Sequence, residues 1–278
     1  MIPKIRSRDV RRGAFYTVVV VCVLAFVSPI FYMISMSLKS QSEAARDPLG
    51  LPSALHFENY INVIEAMNYG RAVFNSGLIT VSVIVVVVLL GSLAAYPLAR
   101  RTGFVSRMII MGMALGLATP NFVTITPIYI MFRDIGLLDT YVGLIAAFSA
   151  LKLPLAVFFY TGFIATIPRE LEEAARLDNC GHWRTFFFVV FPLLSPVTAT
   201  LALFVLVDVW NDFTYPLLLL IDPNKHTIMI AVYRFIGERQ IDPTLLFPAA
   251  VLGSLPLLVL FVIFQRRIIN NVTAGGVK

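Results

Sequence analysis

Six apolar runs, near 14–36, 74–97, 108–131, 141–165, 193–215 and 245–264, are each long enough to cross about 30 Å of hydrocarbon at 1.5 Å of rise per residue. A backbone in lipid has no water to bond to, so such a run satisfies its N–H and C=O groups only by forming a helix. The predicted fold class is an all-α membrane protein with six transmembrane helices. Composition agrees: 58% of residues are hydrophobic and 14% charged, against about 25% charged in a soluble domain. The first run follows Lys4, Arg6, Arg8, Arg11 and Arg12 in the manner of a secretory leader. From Ala14 to Met36 it exceeds the roughly 7–15 residues of a signal core, which predicts an uncleaved signal-anchor helix. At the far end of the fifth run Asp208 and Asp212 precede the apolar patch Leu217 to Ile221, a candidate re-entrant or interfacial piece.

Six crossings put both termini on one side, and the basic residues say which side that is. It carries 14 Lys and Arg, among them Lys4, Arg100, Arg107, Arg176, Arg184, Arg266 and Lys278; the other carries 7, among them Lys39, Arg133, Lys225 and Arg239, although its loops are longer. The excess predicts cytoplasmic termini and a cytoplasmic 166–192 segment in a multi-pass protein of the bacterial cytoplasmic membrane. The net charge of +6 belongs to this interfacial pattern and not to a nucleic-acid surface. No repeat or soluble domain is visible, so 1–278 reads as a single transmembrane domain. The larger outer loops, about 37–73 and 216–246, read as caps over the outer mouth.

Prolines recur inside the runs: Pro29, Pro120, Pro127, Pro154, Pro248 and Pro256. Each frees a carbonyl that a bundle or a wet cavity must satisfy, so kinked, hinge-capable helices are expected. Gly91 to Ala95 and the GxxxG match Gly112 to Gly116 allow close helix packing. Cys22 and Cys180 have neither disulfide nor metal spacing. His56, His182 and His226 all fall outside the runs, and there is no zinc-protease, nucleophile-elbow or Walker A pattern, so the chain cannot hydrolyse ATP alone.

The deep interior holds one ionisable residue, Lys152, beside Pro154. It either lines a substrate cavity or is buried against the carbonyls that Pro154 frees. Asp208, Trp210, Asn211 and Asp212 form a second polar cluster. An aromatic beside hydrogen-bonding groups suits sugar faces and hydroxyls, and tryptophan is equally an interfacial anchor.

A long polar-to-amphipathic interruption late in the chain is TIPRELEEAARLDNCGHWRTFFFVVFP, Thr166 to Pro192. Pro168 suits a first helical turn, and Glu170, Glu172 and Glu173 suit the positive end of the helix dipole. Leu171, Ala174, Ala175 and Asp178 share one mostly small face, and Asn179 and Gly181 can take the left-handed conformation that ends a helix. Trp183, Phe187, Val190 and Phe191 share a face of a second segment that ends at Pro192. The pattern predicts a helix-turn-helix hairpin.

Glu173-Ala174-Ala175, then three residues, a turn residue, nine more and Val189-Val190-Phe191-Pro192, resembles the EAA loop of ABC-importer permease subunits. Asn179 stands where that family commonly has glycine, and Phe191 where it has leucine. Further landmarks resemble the maltose-type carbohydrate permeases: Asn59-Tyr60, Phe74-Asn75-Ser76, Ala94 to Arg100, Trp210-Asn211-Asp212-Phe213 and Gly275-Gly276-Val277-Lys278. The resemblance covers nearly the whole chain.

It implies the type I importer fold, in which two permease subunits, commonly two different chains in sugar systems, form the pathway. An external binding protein delivers the substrate, and a cytoplasmic ABC ATPase dimer binds ATP and Mg, none of which this chain would hold. Carried over, the ATPase-coupling residues are Glu172, Glu173, Ala174, Ala175, Asp178, Asn179 and Gly181, with Glu173 facing an ATPase arginine. Lys152, Trp210, Asn211 and Asp212 are the candidate pathway residues for a sugar or related polyol, and membrane lipid is the remaining partner. Two rival classes are a non-transporting membrane scaffold for an ATPase and an ion-coupled carrier. Solute uptake in vesicles separates the first, and nucleotide-independent uptake would identify the second.

Overall fold

A computed structural model describes residues 7–101, 103–236 and 242–276. Lys4, Arg6, Arg239, Val277 and Lys278, used above for topology or resemblance, lie outside them. The described residues are helical, without a strand, and group into two compact units: 1–69 with 232–255, and 70–231 with 256–278. By length and composition four helices can cross a membrane, or six if each of two bent helix pairs is one span.

In the first unit the helix α1, Ser7–Ser37, carries exposed apolar side chains from Phe15 to Phe31, as a helix surrounded by lipid would. Pro29 lies inside it without ending it. Two short helices follow, α2, Gln41–Arg46, and α3, Glu58–Ala66. They belong to the outer loop of the sequence reading, which is therefore built and not loose. Its centre is Lys39, fully buried, whose Nζ donates to the Asp47 carbonyl at 2.6 Å. Asn59 Nδ2 donates to the carbonyls of Ser37 (3.1 Å) and Lys39 (3.0 Å), and Tyr60 and Ser37 share a hydroxyl hydrogen bond of 2.6 Å. Of the landmark pair, Asn59 thus satisfies the backbone where α1 ends and Tyr60 holds the Ser37 hydroxyl beside it.

In the second unit α4, Tyr69–Arg100, and α7, Tyr141–Ile164, are continuous, although Pro97 lies inside one and Pro154 inside the other. The third apolar run is instead two helices, α5, Phe104–Ala118, and α6, Asn121–Asp134, bent by 103°. The break falls at Pro120, whose ring disfavours an α conformation of the preceding residue; Thr119 is extended at φ −75° and ψ 122°. Of the GxxxG pair only Gly116 meets a neighbour, the Pro154 ring of α7, and Gly112 faces open space.

The 166–192 stretch becomes α8, Glu170–Leu177, α9, His182–Thr185, a π turn Phe186–Val190, and α10, Phe191–Leu193. The fifth run follows as α11, Ser195–Asn211, at 73° to the preceding segment, and then α12, Thr214–Leu219. A 3-10 turn, Pro223–Lys225, and α13, Ile228–Tyr233, complete that outer loop, and α14, Pro243–Gly276, holds the last run. The Leu217 to Ile221 patch is the end of α12 and its exit, with Leu219 and Leu220 buried and Ile221 exposed. The core of this unit includes Val83, Val87, Leu144, Phe148, Ala156, Tyr160, Leu201 and Val205.

Candidate functional site: the 166–192 hairpin

Helix α8 ends in a Schellman motif. Asp178 caps it, Asn179 is left-handed at φ 58°, the Asn179 N–H donates to the Arg176 carbonyl (3.0 Å), and the Cys180 N–H donates to the Ala175 carbonyl (2.9 Å). Asparagine therefore does the work expected of glycine. Gly181 does not: at φ −68° and ψ 166° it is the extended N-cap of α9, because one left-handed residue already turns the chain. Pro168 precedes the helix by two residues instead of lying in its first turn.

The small face of α8 is split between inside and outside. Glu172 and Ala175 are buried, and Leu171, Ala174 and Asp178 are exposed with Glu173; Leu177 is 85% exposed. A carboxylate can be the buried residue because three groups from α4 meet it. Arg100 donates Nε to Oε1 at 2.7 Å and places Nη2 2.6 Å from the same oxygen, and the Tyr96 hydroxyl donates to Oε2 at 2.7 Å. Nη2 also donates to the Ile167 carbonyl at 3.0 Å, so the guanidinium holds the entry to α8 as well. Tyr96 and Arg100 stand four apart and share a helix face. With one partner removed, the other is left charged and buried, a loss of about 3–5 kcal/mol. These two residues were visible in the sequence only as part of a landmark, since nothing local links positions 96 and 100 to 172.

The second arm also turns differently. Trp183 and Phe187 are exposed and stack on each other, whereas Thr185, Phe186 and Val190 are buried. In the π turn the Phe191 N–H bonds to the Phe186 carbonyl, which adds a residue to the turn and rotates the apolar face away from strict helical spacing. Phe186 packs on the Tyr96 ring at 5.3 Å between centroids, so both arms of the hairpin rest on α4.

The candidate pathway residues divide. Lys152 of α7 pairs with Asp208 of α11; their side chains are 13% and 58% exposed. The partner of Lys152 is thus a carboxylate, and not the carbonyls that Pro154 frees. Asp208 had been grouped with the outer-end cluster only. Trp210 is buried, Asn211 is exposed and donates to its own helix at the Val207 carbonyl (2.8 Å), and Asp212 accepts from the Tyr215 N–H (2.9 Å). At the opposite end of α4, Asn75 Nδ2 donates to the carbonyls of Asn224 (2.9 Å) and His226 (3.0 Å), and Ser76 Oγ accepts from the Ile228 N–H (2.8 Å). Asn75 and Ser76 of the landmark Phe74-Asn75-Ser76 therefore clamp the turn into α13, and Phe74 is exposed.

Residues 63–273 match the family model described as "Binding-protein-dependent transport system inner membrane component". The chain belongs to this family of transport permeases. Its similar relatives include the diacetylchitobiose uptake system permease protein NgcG of Streptomyces coelicolor, 35% identical over 272 residues that cover 97% of this chain and 90% of that one. The melibiose/raffinose/stachyose import permease protein MelC of Bacillus subtilis is 33% identical over 274 residues, 98% of each chain. In structure this permease is similar to a chain of a bacterial ABC transporter involved in the import of the acidic polysaccharide alginate. The TM-score is 0.81 at 22% identity, covering 95% of the permease and 99% of that chain, a likeness of fold.

Proposed function

We propose that the chain is one permease subunit of an ATP-driven importer that carries a sugar or related polyol across the bacterial cytoplasmic membrane. The relatives' sugar-uptake names and the family match support this reading. It has no catalytic activity of its own; ATP and Mg belong to a cytoplasmic ABC ATPase dimer, an external binding protein hands over the solute, and a second permease subunit completes the pathway. Residues 1–278 act as one transmembrane domain of six spans, each bent pair counting as one, and the family match runs through both compact units. The excess of basic residues on the side of the termini supports placing them, and the hairpin, in the cytoplasm.

The observation that carries the coupling role is the outward face of α8. Glu173 and Ala174 stand exposed beside the 85% exposed Leu177, while Glu172 and Ala175 secure the helix from beneath. An apolar side chain and a free carboxylate on a cytoplasmic helix fit a protein groove that contains an arginine. Asp178, Asn179 and Gly181 set the angle of the hairpin. For the pathway, a carboxylate as exposed as Asp208 within a spanning helix faces water or another subunit and not lipid. Lys152 holds it, Asn211 lies one turn away, and Trp210 and Asp212 support that end of α11 from inside.

The test is a reconstituted importer carrying Glu173→Lys. Both solute uptake and solute-stimulated ATP turnover are expected to fall. Wild-type values for both would refute the assignment of Glu173 to the ATPase contact.

A further inference from the structure

An eight-residue helix pressed by a partner moves the membrane helices only if its own connections do not absorb the push. Helix α8 is joined by a short turn on either side: the turn 165–169 links it to α7, and the left-handed Asn179 with Gly181 links it to α9. Each turn is held by only a few backbone hydrogen bonds, so the turns alone do not carry a push into the membrane helices.

What opposes tilting is a set of contacts distant in sequence. Glu172 is gripped by Tyr96 and Arg100, Ile167 by the same arginine, and the Phe186 ring by Tyr96. All of these originate in the last two turns of α4. That helix runs unbroken from Tyr69 to Arg100, and Gly91 brings it against Ala156 of α7. Asn75 and Arg100 lie about 37 Å apart along its axis at 1.5 Å per residue. At the Asn75 end the helix holds the backbone of the loop before α13.

We propose that Tyr96, Arg100 and Glu172 form a latch that makes α4 the lever driven by α8, so that displacement of the hairpin moves α4 and, through its far end, the loop at Asn224 to Ile228. The three are positioning residues: they touch neither nucleotide nor solute. The proposal rests on the reading of α8 as the ATPase contact, and it assigns Glu172 to the permease side of that contact while Glu173 serves the ATPase side. The groups are chosen for stiffness. A guanidinium bonded to both a carboxylate and a carbonyl is held in its plane, and a buried ion pair has no water to exchange with when it is pulled.

The experiment uses the complete importer in lipid vesicles and measures ATP hydrolysed per solute carried, with co-purification of the ATPase as the assembly control. Variants are Glu172→Leu, Glu172→Gln, Tyr96→Phe and Glu173→Lys. For Glu172→Leu the ratio is expected to rise about tenfold, the size of an ordinary coupling between sites, in a complex that retains its ATPase. Glu172→Gln keeps the shape and hydrogen-bonding capacity of the latch, so its ratio should lie between wild type and Glu172→Leu, and Tyr96→Phe should give a smaller rise. An unchanged ratio in an assembled Glu172→Leu or Glu172→Gln importer overturns the latch. So does a parallel fall of uptake and hydrolysis, which marks lost docking. If Glu172→Leu does not assemble, Glu172→Gln decides alone. Should Glu173→Lys impair the importer while the Glu172 variants keep the wild-type ratio, the latch fails and the ATPase contact stands. Should Glu173→Lys have no effect while the Glu172 variants raise the ratio, the contact assignment fails and the latch stands.

Discussion

Replacing Gly91 by alanine would put a methyl carbon 2.5 Å from Cβ of Ala156 on α7. Carbon atoms rest at about 3.5–4.0 Å, so α4 and α7 would have to separate locally by about 1 Å. Little can give way sideways, because Val87, Ala95, Ala156 and Tyr160 are all buried and a Tyr160 ring carbon already lies 3.6 Å from the new methyl. Overpacking of this kind costs about 1–3 kcal/mol. A glycine-to-alanine change in a helix also returns about 1 kcal/mol of intrinsic propensity, which hides part of the loss. Gly112→Ala separates the two effects, since Gly112 is helical as well but has nothing within 4 Å of its added methyl. Equilibrium unfolding in mixed micelles should therefore find Gly91→Ala less stable than Gly112→Ala by about 1–3 kcal/mol. Adding Ala156→Gly to Gly91→Ala removes the colliding methyl and should recover most of the difference. The packing argument is refuted if the two single variants agree within about 0.5 kcal/mol, the usual scatter of harmless substitutions.

Three further outcomes follow from the geometry. Asn179→Gly should leave the hairpin as stable or stabilise it slightly, whereas Asn179→Val should lose about 1–2 kcal/mol in the same unfolding assay, because a branched residue resists φ 58°. Lys152 is the more buried member of its pair, so Asp208→Leu should lower the thermal midpoint more than Lys152→Met, which leaves a carboxylate still reachable by water; equal losses would contradict this asymmetry. Asp139, in the turn before α7, accepts from the N–H groups of Asp222 and Ile221, both at 3.0 Å, and pairs with Lys225. The Asp222 N–H, then Lys225 and the Ile221 N–H, hold its carboxyl below the ordinary value, and Asp139 raises Lys225 above its own. A depressed carboxyl contributes stability above its unfolded pKa and loses it as pH falls through the folded value; the raised amine loses its share only as alkaline pH passes its folded pKa. Hydrogen exchange referenced to Asp139→Asn should show the Ile221 and Asp222 amides protected at neutral pH and released below the carboxylate range. An identical pH dependence in the two proteins would remove the charge argument.

Much of this protein follows from its sequence, because lipid leaves a long apolar run no structure except a helix. The apolar runs, the one-sided excess of basic residues and the spacing of the 166–192 hairpin are local or periodic signals of that kind. Asn179 as the left-handed turn residue was legible for the same reason: conformational tolerance belongs to the residue itself. Several other features were not legible. The residues that hold the hairpin are Tyr96 and Arg100, more than seventy positions from Glu172, and the sequence contains no record of that separation being closed. Helical spacing grouped Leu171, Ala174, Ala175 and Asp178 on one small face without saying how it lies; Ala175 is buried and the other three are exposed, because Glu172, a carboxylate with three donors around it, takes the neighbouring buried place. The π turn at Phe186–Val190 shifted the second arm in the same way, since one added residue re-aims every side chain after it. Pro120 broke its run and Pro154 did not, so a proline by itself marks a candidate break and does not say which one is used. The sequence by itself determined which segments are apolar enough to enter a membrane and where the chain offers a hairpin. Only the tertiary structure decided which face of that hairpin is held and which is free, because that choice depends on charges and rings brought together from distant parts of the chain.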